Sequence, residues 1–290
     1  MCDFFSAVVL KNGDVVYDLN TSSHEDLIEK AGLKDDTADP KKLKFARIEI
    51  LPPDNNFFAD PQKWIFKIDQ NITPAWFTEE FKEKCLKIFI SEVYSQCVFV
   101  DKKDLRFLNR KNLFLKNSSA RLNDSSSAEL YDSSSAELLG SSSARLNDSS
   151  SARLYGSSSA VLFGSSSAEL NGSSSAELLG SSSAELYDSS SAELLGSSSA
   201  ELYDSSSARL YDSSSARLYD SSSARLYGSS SAELYDSSSA RLYGSSSAVN
   251  FSEEAKFEIN DKAVVIDRSE NNIVIYSNQK LKIKGGNNGK

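Results

Sequence analysis

Histidine and methionine occur once each in this chain, cysteine three times and proline five times. The single histidine, His24, excludes zinc sites built on several imidazoles, and Cys2, Cys85 and Cys97 lack metal-ligand spacing. No metal or cofactor is therefore expected. An odd cysteine count without a disulfide framework fits a reducing compartment, and the cytoplasm is the expected location. No apolar run reaches the length of a membrane-spanning helix, so no membrane partner is expected. Met1 to Phe5 lack the basic region and small-residue cleavage site of a signal peptide. No phosphate loop, G-x-S-x-G or G-x-G-x-x-G motif is present. The formal net charge of −9 argues against general nucleic-acid binding.

What the chain has in excess is one eight-residue unit, Ser-Ser-Ser-Ala-x-Leu-y-z, repeated across residues 117–252. Alanine recurs from Ala120 to Ala248, and leucine two places later from Leu122 to Leu242, without a slip of phase. Eight is an even number, so an extended strand returns to the same face at every copy, whereas neither a helix nor a coiled coil has this beat. Alanine and leucine then face inward while x and y face out. Position z is always Asp or Gly up to Gly244, the types that make turns with positive φ. Each copy is too short to bury a core alone, so neighbouring coils must supply it. The sequence therefore predicts a mainly β fold, a β-solenoid. Two repeats would make a flat coil of 16 residues and three a triangular coil of 24; the small inward set of one Ala, one Leu and one Ser suits a thin slot between two facing sheets better than a wide bore, which favours 16.

The outward positions carry the charge. This region holds eight Glu, eight Asp and seven Arg, so it accounts for the whole −9. At position y, tyrosine appears six times running, as Tyr203, Tyr211, Tyr219, Tyr227, Tyr235 and Tyr243. These are a candidate binding face for a sugar or other flat ligand. The competing reading is a set of stacked rings that only stabilises the sheet.

The flanks are different in kind. Residues 1–100 predict a small α+β domain in the order ββαββα, two layers deep. Phe4 to Leu10 and Val15 to Tyr17 are β-prone runs around Asn12-Gly13, a strong hairpin signal. Ser22 with Glu25 fits a capping box for a short helix ending at Gly32, with Ser23 and Asp26 as a second register. Phe45 to Ile50 and Lys63 to Asp69 alternate as strands. The loop between them carries Phe57 and Phe58, a candidate lid or partner contact. Thr73-Pro74 reads as the start of a long helix with the stripe Phe77, Phe81, Cys85, Ile88, Phe89 and Val93. Residues 101–116 read as a linker and N-terminal cap. In residues 253–284 bulkier strands read as a C-terminal cap, with one residue lost between Ala248 and Ala255, and 285–290 as a tail.

Two residues invite a catalytic reading. With Met1 removed, Cys2 would be an N-terminal nucleophile whose own amine serves as base, and a strand follows it directly, as in amidotransferases with an N-terminal cysteine. Asp3 stands where those enzymes have glycine, and the domain is too short for theirs, so a packed or terminal cysteine is the competing reading. His24 could complete a thiolate dyad with Cys2, or be an exposed residue of a capping turn. Two catalytic carboxylates cannot be chosen among 41 acidic residues without geometry.

The start, Met1-Cys2-Asp3-Phe4-Phe5-Ser6 with Asn12-Gly13 and Ser23-His24-Glu25-Asp26, resembles the N-terminal module of uncharacterised bacterial and phage proteins that precedes repeat arrays. The Ser-Ser-Ala-x-Leu-Tyr-Asp/Gly tract is similar to octapeptide β-solenoid tracts of the same genomes, and distantly to pentapeptide-repeat and ice-nucleation solenoids. It lacks the Thr-x-Thr rows of the latter. The resemblance brings no known activity. The expected function is a non-enzymatic scaffold or binding protein of bacterial or phage origin, its N-terminal domain engaging a protein partner or, with the rod end, forming a homo-oligomer. Acidic pentapeptide-repeat proteins that mimic DNA suggest an inhibitor as one alternative, and Cys2 a hydrolase as another.

Overall fold

The computed structural model describes residues 5–34, 39–270 and 273–278. Two compact units divide between Ser134 and Ser135. In the first, the hairpin forms as the Asn-Gly signal predicts. β1 (Phe5–Leu10) pairs antiparallel with β2 (Val15–Val16), and Gly13 takes φ +93° at the turn. β3 (Phe45–Leu51) lies on the other side of β1, and β4 (Ile65–Ile68) follows it, giving the order β2-β1-β3-β4. The element order is the expected ββαββα.

The expectation of two layers is corrected. Strand alternation sends side chains to both faces, and both carry buried apolar residues. Phe5, Ala7, Val9, Ala46, Ile48 and Ile50 pack with Cys85, Phe89 and Val93 of the long helix. Val8 and Phe45 pack on the opposite face with Leu27 and Ile28 of α1 (His24–Lys30). The sheet is thus covered on both sides. The cap of α1 is Ser23, whose side chain accepts from the Asp26 amide at 3.3 Å, so the second register prevails over Ser22 with Glu25.

The long helix starts later than Thr73. Thr78 is its N-cap, α2 runs Glu79–Ile88, and a π-helical stretch continues through Phe89–Tyr94 into Ser95–Cys97. Tertiary bonds hold the preceding segment out of the helix: the Trp76 indole donates to Leu43 O at 2.8 Å, and the Ala75 amide to Pro40 O at 3.0 Å. The widened turn has a cause in the sequence. Cys85, Phe89, Val93 and Cys97 recur every four residues, and in a regular α-helix each such step drifts by about 40°. Widening the helix keeps all four against the core, where each is at most 3% exposed.

The solenoid begins before the repeats. β5 (Val98–Val100) leaves the helix directly, followed by β6 (Leu105–Leu108) and β7 (Leu113–Lys116). These pair in parallel with β7, with β8 (Ser119–Asn123) and with β9 (Ser127–Tyr131), respectively. Leu113 and Leu115 lie opposite Ala128 and Leu130 and are fully buried. The segment expected as linker and cap is therefore itself wound into the solenoid. Its larger side chains meet the N-terminal core, where Phe57 stacks on Phe114 with centroids 4.0 Å apart and Phe58 sits edge-on to Tyr131 at 5.2 Å.

In the second unit, four-residue strands start every eight residues from Ser135–Leu138 to Ser247–Asn250. Those up to Ser231–Leu234 pair in parallel with the strand sixteen residues on, Ala beside Ala and, except for Asn250 opposite Leu234, Leu beside Leu, for instance Ala184↔Ala200 and Leu186↔Leu202. Successive strands alternate between two sheets, so two repeats make one turn, as the thin inward set predicts. The leucines two places after each Ala, from Leu138 to Leu242, are wholly buried, and the second serine of each triplet joins them inside. Its hydroxyl donates to the carbonyl of y three residues back in such copies as Ser182 to Leu179 O at 2.9 Å and Ser214 to Tyr211 O at 2.7 Å. Where it forms, that bond offsets the cost of burying a hydroxyl; the buried hydroxyls of Ser174, Ser190, Ser206, Ser222, Ser238 and Ser246 make no such bond.

Position z turns the corner with φ between +50° and +74° throughout the second unit. A Cβ on Gly172 would lie 3.1 Å from Gly156 O one turn away, which leaves little room for most side chains. Asp is the accepted alternative because its carboxylate reaches the z amide of the preceding turn: Asp204 accepts from the Asp188 N–H at 3.2 Å, Asp212 from Gly196 at 3.1 Å.

At the C-terminal end the spacing lengthens rather than shortens. Ser239 pairs with Lys256 and Ser247 with Val264, an offset of seventeen. The Ala slot opposite Ala240 is taken by Phe257, not by Ala255, so the corner at 252–255 gains a residue. Asn250 fills a Leu slot and donates to Asp267 Oδ1 at 3.0 Å, which satisfies its buried amide. Strands Lys256–Ile259, Val264–Asp267 and Val274–Ser277 close the series, the last one antiparallel. Leu281 to Ile283 lie outside the described residues. No helix among the described residues is long and apolar enough to cross a membrane.

Candidate functional site

The six tyrosines do not form one face. A period of sixteen sends alternate copies to opposite sheets. Tyr187, Tyr203, Tyr219, Tyr235 and Phe251 stack in one row, with centroids 4.9–5.1 Å apart and planes within 10°. Tyr211, Tyr227 and Tyr243 stack in a second row on the other sheet. Within each row the rings cover one another's faces, so the flat surfaces a sugar would need are taken by neighbouring turns. Such stacking adds to the stability of each sheet face.

The row containing Tyr203 is closed by polar contacts. Tyr187, Tyr203 and Tyr235 donate to Glu185, Glu201 and Glu233, two residues back. Arg217 bridges Glu201 at 2.9 Å and Glu233 at 3.1 Å, joining three turns. The bond to Glu185, with burial second, pushes the Tyr187 hydroxyl up to about 12. The Tyr203 hydroxyl is raised for the same reasons. The unfolded chain therefore loses these protons near pH 10 while the fold holds them. Stability from these groups is complete below pH 10 and falls as pH rises from 10 towards 12. An alkaline titration followed by circular dichroism and the phenolate absorbance should show this loss, and Tyr187→Phe with Tyr203→Phe should move it to higher pH.

The other sheet presents a different row. Glu193, Arg209, Arg225 and Arg241 occupy successive x positions, then Glu258. Arg209 pairs with Glu193 at 2.7 Å and Arg241 with Glu258 at 3.1 Å. Arg225 stands between two like charges, and among the described residues it has no carboxylate partner. Beside this row runs a groove of about 1000 Å³ whose lining includes Ser207, Arg209, Ser223, Arg225, Ser239 and Arg241. Repeat identity alone could not reveal it, because neighbours in sequence are on opposite sheets. Reading x at intervals of sixteen would have.

The remaining candidates separate. Cys2 lies outside the described residues. Cys85 and Cys97 are free and buried; burial pushes the Cys85 thiol up to about 11 and the Cys97 thiol upward as well. Neither is a nucleophile near neutral pH. A thiol reagent applied to native protein at neutral pH should therefore label no more than one cysteine, Cys2. Labelling of Cys85 or Cys97, located by peptide mapping, would contradict the buried core of α2. Phe57 and Phe58 are half-buried against Phe114 and Tyr131, and Lys116 Nζ sits 5.5 Å from the Phe58 ring centroid. In the structure they contact this chain's own first turns.

His24 is not the exposed residue of a capping turn. It is 7% exposed, and its Nε2 donates to Ile48 O at 3.1 Å. Its Nδ1 lies 3.4 Å from Asp69 Oδ2. With Glu49, these residues place three ligand atoms within 4.8 Å of one another. Lys67 Nζ touches Glu49 at 3.1 Å and Asp69 at 3.2 Å, and its pKa is raised by those bonds.

No family model, no curated protein and no solved structure matches this chain.

Proposed function

We propose that this chain is a non-enzymatic scaffold of the bacterial or phage kind its repeats resemble. The stacked turns are its rigid platform, the N-terminal domain a second contact module, and the partner a protein. One observation carries the reading. The Tyr203 row is knit by its own Tyr–Glu–Arg network, whereas on the opposite sheet Arg225, between Arg209 paired with Glu193 and Arg241 paired with Glu258, lies along a groove in an otherwise acidic tract. Arginines stacked at strand spacing, about 4.8 Å, favour an extended acidic segment lying along them. Acidic mimicry of DNA has less support. The corner carboxylates of Asp204, Asp220 and Asp236 accept amides of the preceding turn, and arginines interrupt the outward rows.

The test uses the full chain and poly-L-glutamate as probe. Binding at low salt, lost at high salt and in the triple variant Arg209→Ser, Arg225→Ser, Arg241→Ser, supports the platform. Equal binding by the variant, or none by the parent, removes it.

A further inference from the structure

We infer that His24, Glu49 and Asp69 form a binding site for a divalent first-row cation of the Zn²⁺ type, with Lys67 as the cation it displaces. The three residues are distant in sequence. His24 is the first residue of α1, Glu49 lies on β3, and Asp69 follows β4. The sheet brings them together: Glu49 pairs with Lys67 across β3 and β4, and the Asp69 amide donates to Arg47 O at 2.9 Å. Burial of His24 at 7% and Glu49 at 6% exposure puts two of the three donors out of bulk water.

The imidazole is oriented as a ligand would be. A carbonyl oxygen only accepts, so the contact to Ile48 O places the proton on Nε2 and turns Nδ1 towards Asp69. Holding the far ring nitrogen on a carbonyl is how metal-binding histidines are commonly fixed. The distance of 3.4 Å between Nδ1 and Asp69 Oδ2 exceeds the usual span of an N–H···O bond. It matches the edge of a tetrahedron whose centre is about 2.1 Å from each corner, the length of zinc bonds to nitrogen and oxygen. One nitrogen and two carboxylate oxygens suit Zn²⁺ and its neighbours, with a fourth position left for water.

The charges point the same way. Two carboxylates gathered beside an imidazole need a cation, and the Lys67 ammonium serves as one by touching both. Its side chain is 52% exposed on a flexible stem, so it can swing into water when a divalent ion arrives. Bound there, the ion would tie the start of α1 to β3 and β4.

Full-length protein, stripped with a chelator and dialysed, is titrated with Zn²⁺ by calorimetry and with Co²⁺ by visible absorption. The expected result is one site per chain with the d–d bands of a four- or five-coordinate ion. His24→Ala and Asp69→Asn should each weaken binding by at least about tenfold. Lys67→Met should tighten it several-fold, an effect no loss of folding would mimic. Circular dichroism of each variant checks that the fold is retained. Three outcomes overturn the site: no cobalt band in the parent, undiminished binding by His24→Ala, or no tightening in Lys67→Met. The last two would assign any bound ion to exposed carboxylates and leave the contact of His24 with Asp69 a structural one.

Discussion

Excising residues 165–180, one whole turn, leaves a protein that still folds and melts cooperatively, whereas excising 165–168 alone breaks the second unit in two. In the first case Ser181 follows Gly164, and every later strand finds a partner with the same Ser-Ala-x-Leu frame. Arg153, which pairs with Glu169 at 3.1 Å, then meets Glu185 instead. In the second case one turn has twelve residues, too few to cross both sheets and both corners. The strands on either side cannot stack, and their leucines and alanines face water. Losing one interface of two leucines and two alanines costs on the order of 3–6 kcal/mol. Because a solenoid is stabilised by nearest-neighbour contacts, the damage appears as two separate transitions. Calorimetry of the two deletions beside the parent decides it. A cooperative, parent-like melt of the four-residue deletion would show that the turns do not depend on the sixteen-residue beat.

Leu202→Ala is expected to destabilise the second unit by about 2–5 kcal/mol, far more than any single change on its outer faces. Leu202 is wholly buried, stacked between Leu186 and Leu218 in the same sheet. The slot is thin, and its neighbours are held by parallel pairing on both sides, so they cannot close over the cavity. Glu201, the adjacent residue, provides the control. It is partly exposed and its bonds to Arg217 and Tyr203 are made at the surface, where such pairs contribute little. Urea titrations of Leu202→Ala and Glu201→Ala should differ accordingly. A shift below about 1 kcal/mol for Leu202→Ala would mean that the ladder of leucines is not what holds the turns together.

The interior of the repeats was legible because it obeys one strict rule. The even period put Ala and Leu on one face, their small volume implied two facing sheets, and Asp or Gly marked each corner. The Asn12-Gly13 hairpin and the strand at Phe45 were readable for similarly local reasons. Features that depend on what touches what were not. Thr73-Pro74 has the residues of a helix start, but bonds from Ala75 and Trp76 to Pro40 and Leu43 keep it out of the helix. Ser22 and Ser23 offer two capping registers, and the choice of Ser23 accompanies the burial of His24 against β3. Ala255 suggests an alanine beat shortened by one residue, yet Phe257 takes the slot because the corner before it has one more residue.

The candidate sites divide along the same line. Tyr203 and Tyr211 are eight residues apart and look like neighbours, but the winding sends them to opposite sheets. Arg209, Arg225 and Arg241 are separated by whole turns and become neighbours. His24, Glu49 and Asp69 share no motif at all. From its residues alone, this chain determined a two-sheet solenoid with small, apolar contents, because a periodic pattern of burial permits little else. The tertiary structure decided which outward side chains meet, where the helices start, and how one buried imidazole faces two carboxylates. Those outcomes depend on contacts between residues far apart in the chain, and a local pattern holds no record of them.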